Sequence, residues 1–146
     1  MKPFCKILML QIFTMFLNTC FSQQRRIDSI RIDIESLDTE SFYDISCSDF
    51  DNSFRDTKKI KTFRDRQTLS DFNISLKGFT LSKFKSIDVR GKITIYGDRL
   101  EKYCFGQFAQ FYKDGKLYFN KKLLILILEK VYGVHEKYLD TLQNHE

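Results

Sequence analysis

The side chains best equipped for chemistry are few and widely spaced. His135-Glu136 starts like the zinc-protease helix motif H-E-x-x-H, but position 139 is leucine, so the second ligand one turn later is missing. Asp49, Asp51 and Ser53 have the spacing that opens a calcium loop. Phe54 stands where that loop needs glycine, and no carboxylate lies between Thr57 and Lys61. There is neither a nucleophile-elbow serine motif nor a glycine-rich phosphate loop. Motifs therefore assign no catalytic residue, metal or cofactor. Paired carboxylates for general acid–base work would be brought together by the fold rather than by spacing, so a small carboxylate-dependent hydrolase is the enzymatic alternative.

Sulfur chemistry is more informative. Met1 to Lys6 carries two lysines, residues 7–17 are mostly apolar, and small or polar residues follow at Asn18, Thr19, Cys20 and Ser22. That order reads as a secretory signal peptide over residues 1–22, with cleavage between Ser22 and Gln23. The apolar run is shorter than the roughly 20 residues a spanning helix needs and is interrupted by Gln11 and Thr14, so no membrane span is expected after processing. Leu17-Asn18-Thr19-Cys20 partly matches a lipoprotein signal, and lipidation of Cys20 is the alternative route to the envelope. Once the leader is removed, Cys47 and Cys104 are the two cysteines left, in a periplasmic or secreted setting where thiols oxidise. One disulfide between them is expected. It would close a loop of about 58 residues, worth roughly 4 kcal/mol on a chain-entropy argument.

Charge is balanced. The whole chain carries +5, and without residues 1–22 the remainder, 23–146, carries +3. That is too little to imply a polyanion partner. Lys58, Lys59, Lys61, Arg64 and Arg66 form a basic run, but Asp56 and Asp65 interrupt it, which suits a charged edge strand better than a nucleic-acid interface. The 124 residues left are one domain's worth and can bury a core. One alanine, one proline and no tryptophan leave Ile, Leu and Phe to build it.

The positioning elements are read from periodicity. In Ile87 to Gly97, odd positions are aliphatic or glycine and even positions mostly polar, predicting a strand with Ile87, Val89, Ile93 and Ile95 on a core. Asp88, Arg90, Lys92 and Tyr96 would then share the wet face as a small recognition surface. Ile30, Ile32 and Ile34 predict another strand, Tyr43 to Cys47 a short one, and 58–66 the charged edge. Ser48 before Asp49 and Asp51 predicts a short helix capped by a hydroxyl. Thr68 and Asp71 have capping-box spacing ahead of a helix over 69–77 that Gly78 would end in a left-handed conformation. Asn73-Ile74-Ser75 matches a glycosylation acceptor, but its place on that helix makes it a chance triplet.

Tyr103 to Tyr112 is aromatic on both parities, which a strand bulged near Gly106 would reconcile. Lys113-Asp114-Gly115-Lys116 predicts a tight hairpin turn, with Leu117 to Phe119 returning. The run 123–128 reads as a buried helix because Asn120 precedes it and Gly133 follows; Val134, Tyr138 and Leu142 suggest a last helix. The order β-β-α-β-α-β-β-β-α describes an α+β domain: an antiparallel sheet of about five to six strands with two to three helices packed on one face. The expected function is that of a small exported, non-enzymatic binding or interaction protein, inhibitor- or immunity-like, with a protein partner.

Overall fold

A computed structural model of the chain describes residues 25–133. The signal-peptide and lipidation readings at 1–22, the cleavage pair Ser22 and Gln23, His135, His145 and the last helix fall outside those residues. Seven strands form one antiparallel sheet: β1 (Ile27–Ile34), β2 (Lys59–Phe63), β3 (Thr80–Leu81), β4 (Val89–Gly97), β5 (Glu101–Gly106), β6 (Gln110–Lys113) and β7 (Lys116–Phe119). Their spatial order is β2-β1-β4-β5-β6-β7-β3. The helices are α1 (Phe50–Ser53), α2 (Arg66–Ser75) and α3 (Lys121–Tyr132), with a 3-10 turn at Leu76–Gly78. The class is α+β, with one or two strands more than predicted.

Strand alternation gives the sheet two unlike faces. On one, Ile30, Ile32, Ile34, Ile93, Ile95, Phe105 and Phe111 pack with Phe72 and Leu76 of the α2 region and with Leu123, Leu124 and Ile127 of α3. This is the helix face. α3 starts where the Asn120 side chain accepts from the Leu123 N–H at 3.0 Å and ends at Gly133 in a left-handed conformation (φ 75°), as its flanking residues predict. The β6–β7 hairpin turns at Asp114 and Gly115, both with positive φ, the conformation its sequence demands.

The opposite face is crossed by residues 35–58, the connection from β1 to β2. Adjacent antiparallel strands can be joined by two to five residues, so so long a connection is there to cover something. Ile45, Phe50 and Phe54 of this strap pack on Val89 and Cys104, forming a second small core. Cys47 is bonded to Cys104, with Cα atoms 5.8 Å apart. Glu35 ties the strap's ends: it accepts from the Ser36 N–H (3.0 Å) and the Thr39 hydroxyl (3.2 Å) at the start and from the Thr57 hydroxyl at the finish. Two helices thus pack on one face, as expected, and the short α1 lies on the other.

Several local expectations are corrected. β4 pairs Val89 with Gly106 but Gly91 with Phe105, a one-residue bulge. A slip of one residue reverses side-chain parity, so Val89 joins the strap-face cluster while Ile93 and Ile95 stay on the helix face. Gly91 is required there, because a Cβ would lie 2.1 Å from Phe105 Cζ. Tyr43 to Cys47 is not a strand; its backbone meets the sheet at Ile45 while the Ser46 carbonyl turns into α1, and β1 and β4 already have strand partners on both sides.

Tyr103 to Tyr112 is a hairpin rather than one bulged strand. Phe105 faces Phe111 across it, so chain reversal explains the aromatics on both parities. α2 begins three residues early because Asp65, not Thr68, caps it, accepting from the Thr68 N–H at 2.8 Å. Gly78 closes the 3-10 turn without a positive φ. α1 has no capping hydroxyl: its N-cap is Asp49, not Ser48, no side chain caps it, and the Ser46 hydroxyl accepts from the Asp49 N–H at 3.2 Å in the turn before it.

Candidate functional site

The bulge determines what happens to the predicted recognition surface. Arg90 follows Val89 onto the strap side and is only 3% exposed, so the expectation that it faces water is not met. Its Nη2 donates to Ser41 Oγ at 2.7 Å and pairs with the Asp88 carboxylate. The guanidinium carbon lies 5.5 Å from the Phe54 ring centroid, and Nε and Nη1 form no hydrogen bond. Asp88 in turn accepts from the Ile45 N–H at 2.9 Å and from the Ser41 hydroxyl at 3.4 Å. The Ile45 carbonyl accepts from the Val89 N–H, also at 2.9 Å.

These bonds fasten the strap at Ser41 and at Ile45. The three residues between, Phe42, Tyr43 and Asp44, are exposed, and the Phe42 side chain is fully so. A cavity of about 590 Å³ opens beside them, bordered by Asp38, Glu40, Asp44 and Asp88. The loop is locally acidic on a chain of net positive charge.

Lys92 and Tyr96 lie apart from this clamp, in a cleft of about 370 Å³ lower on the same face. Register builds its floor: Arg31 is opposite Thr94, and Thr94 opposite Lys102. Arg31 pairs with Asp33 at 2.8 Å, while Asp51 of α1 receives Lys58 and Lys92, each at 2.6 Å. Hydrogen bonds from Lys58 and then Lys92 hold the Asp51 carboxyl down at about 2. The Asp33 hydrogen bond raises the Arg31 guanidinium further. Both acids in the cleft are thus paired with cations, and Asp51 carries no proton to donate near neutrality.

A second charged network sits at the end of the helix face. Glu101 contacts Arg25 at 2.9 Å, Tyr103 Oη at 2.9 Å, Arg99 at 3.6 Å and Lys113. Burial would raise the Glu101 carboxyl, but Lys113, Tyr103 and Arg25 outweigh it and the net shift is downward. Burial raises the Tyr103 phenol. The β5–β6 hairpin that unites these residues is invisible in the spacing of Glu101 and Lys113.

The four residues expected to form one surface therefore divide into a part-buried clamp, Asp88 with Arg90, and a cleft wall, Lys92 with Tyr96. Ser41, Phe42 and Tyr43 were not expected to contribute. Their signal was present: an aromatic pair set among acids, in a stretch too long for the turn it replaces. Among the described residues, no group of three or more His, Cys, Asp or Glu side chains is placed to hold a metal, and no helix is long and apolar enough to cross a membrane. Comparison with protein-family models, with curated proteins and with solved structures finds no match.

Proposed function

We propose that this is an exported, non-enzymatic binding protein, inhibitor- or immunity-like, whose strap presents Phe42 and Tyr43 to a protein partner. One observation carries the reading: a wholly exposed phenylalanine stands on a segment fastened on both sides by a part-buried ion pair and its hydrogen bonds. Leaving a Phe ring in water forgoes about 1.5–3 kcal/mol of burial, and pre-ordering its backbone lowers the cost of binding. Aromatic anchors of this kind dominate interface energetics. Asp38, Glu40 and Asp44 around them favour an apolar pocket rimmed by Lys or Arg.

Export is supported by the leader-like residues 1–22 and by the Cys47–Cys104 bond. Mass spectrometry of the mature N-terminus separates cleavage after Ser22 from lipidation at Cys20. The hydrolase alternative would need a carboxyl kept protonated near neutral pH, whereas the cleft acids are ion-paired.

The functional test is site-specific photocrosslinking in the native envelope. A photoreactive residue at Tyr43 is expected to give one discrete adduct, and the same residue at Ile74, exposed on α2, none. In the Tyr43 background, Phe42→Ser should reduce the adduct about tenfold or more. Equal labelling from both positions would sink the proposal.

A further inference from the structure

We infer that the cleft between α1 and the β4–β5 turn is a second, separate site that binds a small organic anion with an apolar body. The argument begins with a row of side chains on three neighbouring strands: Arg31 on β1, Thr94 on β4 and Lys102 on β5. Neighbouring strands are about 4.8 Å apart, so a row of three presents donors over roughly 10 Å.

Within the described residues each member of the row has unused donor capacity. Arg31 spends Nε on Asp33, and its other guanidinium nitrogens make no hydrogen bond. Thr94 is half-buried with no hydrogen bond to its hydroxyl, and Lys102 has no ion pair. The only acids in the cleft, Asp33 and Asp51, are already neutralised, Asp51 by two lysines. Three cations of the lining, Arg31, Lys92 and Lys102, with Lys58 also paired to Asp51, thus outnumber two carboxylates. A concave, positively charged surface concentrates potential on what enters it.

The wall opposite the charges is different. Tyr96 and Leu100 are exposed at the cleft's rim, with Tyr96 within electrostatic reach of Arg31. A carboxylate, sulfate or phosphate group on the Arg31–Thr94–Lys102 row would leave the rest of its molecule against the Tyr96 ring and Leu100. A simple inorganic anion would leave that wall unused; a neutral apolar compound would leave the row unused. The site is independent of the Phe42–Tyr43 loop, which belongs to a different cavity.

The probe is 8-anilinonaphthalene-1-sulfonate, a fluorescent aromatic sulfonate, titrated into the folded protein beside its uncharged relative N-phenyl-1-naphthylamine. Saturable binding of the sulfonate with one site per chain is expected, weakened by added salt. Lys102→Gln and Arg31→Gln should each weaken it about tenfold, the loss of one charge-assisted hydrogen bond, and Phe42→Ser should leave it unchanged. Lys102 is exposed and unpaired, so Lys102→Gln keeps the fold and decides the matter if Arg31→Gln, by stranding Asp33, does not. No sulfonate binding, equal binding of the neutral dye, or binding insensitive to Lys102→Gln would overturn the assignment.

Discussion

The helix face and the strap face of this sheet are built on different principles. Under α2 and α3 the side chains are aliphatic or aromatic and close-packed, and the interactions are non-directional. Under the strap a small apolar cluster of Ile45, Phe50, Phe54 and Val89 is bordered by buried charges, Asp33 and Glu35 at 7% exposure and Arg90 at 3%. Arg90 with Asp88 and Asp33 with Arg31 each bury one charge of a pair, and the desolvation of that charge offsets the attraction, so they fix geometry more than they add net stability. The helix face therefore holds the domain together, and the strap face holds a particular loop in a particular place. Position of the loop, rather than more stability, is what the second arrangement supplies.

The largest expected effect tests the first half of that comparison. Phe72→Ala, at the centre of the helix face, should cost about 3–5 kcal/mol in denaturant unfolding and loosen both faces together. Next in size, the double substitution Cys47→Ser with Cys104→Ser should cost about 2–4 kcal/mol. Here hydrogen exchange should quicken first over residues 41–54 and leave α2 and α3 protected. An equal rise over α2 and α3 would show that the two faces are one cooperative structure.

The smallest effect comes from Asp51. Its folded pKa, about 2, lies below the ordinary value of 3.8, so its stabilisation is complete above 3.8 and disappears as pH falls toward 2. Because the carboxylate is half-exposed, screening leaves under about 1 kcal/mol. Unfolding curves of the wild type and Asp51→Asn should differ slightly near neutrality and converge at low pH.

Much of the helix face can be read from residues alone. Ile30, Ile32 and Ile34 alternate, the Leu-Ile run of α3 is bracketed by Asn120 and Gly133, and Asp114-Gly115 specifies its turn. The disulfide follows from counting cysteines once export is assumed. The strap face resists this reading for a physical reason. A bulge adds one residue to an alternating run, and its one local sign, Gly91, does not say on which side of it parity reverses, so Arg90 looks like any strand residue facing water. Tyr43, Ile45 and Cys47 alternate as a strand would. No free strand edge receives them, and the Asp88 carboxylate, 43 positions away from Ile45, takes the hydrogen bond a ladder would have made. Long-range polar bonds of this sort leave no local pattern.

The account depends most on the fastening of residues 41–45, and amide hydrogen exchange in the oxidised protein tests it residue by residue. The Ile45 and Val89 amides, bonded to Asp88 Oδ1 and to the Ile45 carbonyl, are expected to exchange as slowly as their neighbours in β4, while Phe42 and Tyr43 exchange at nearly the free-peptide rate. An Ile45 amide that exchanges as fast as that of Phe42 would mean that the loop is not held, and the aromatic pair would lose its claim to be a prepared binding surface.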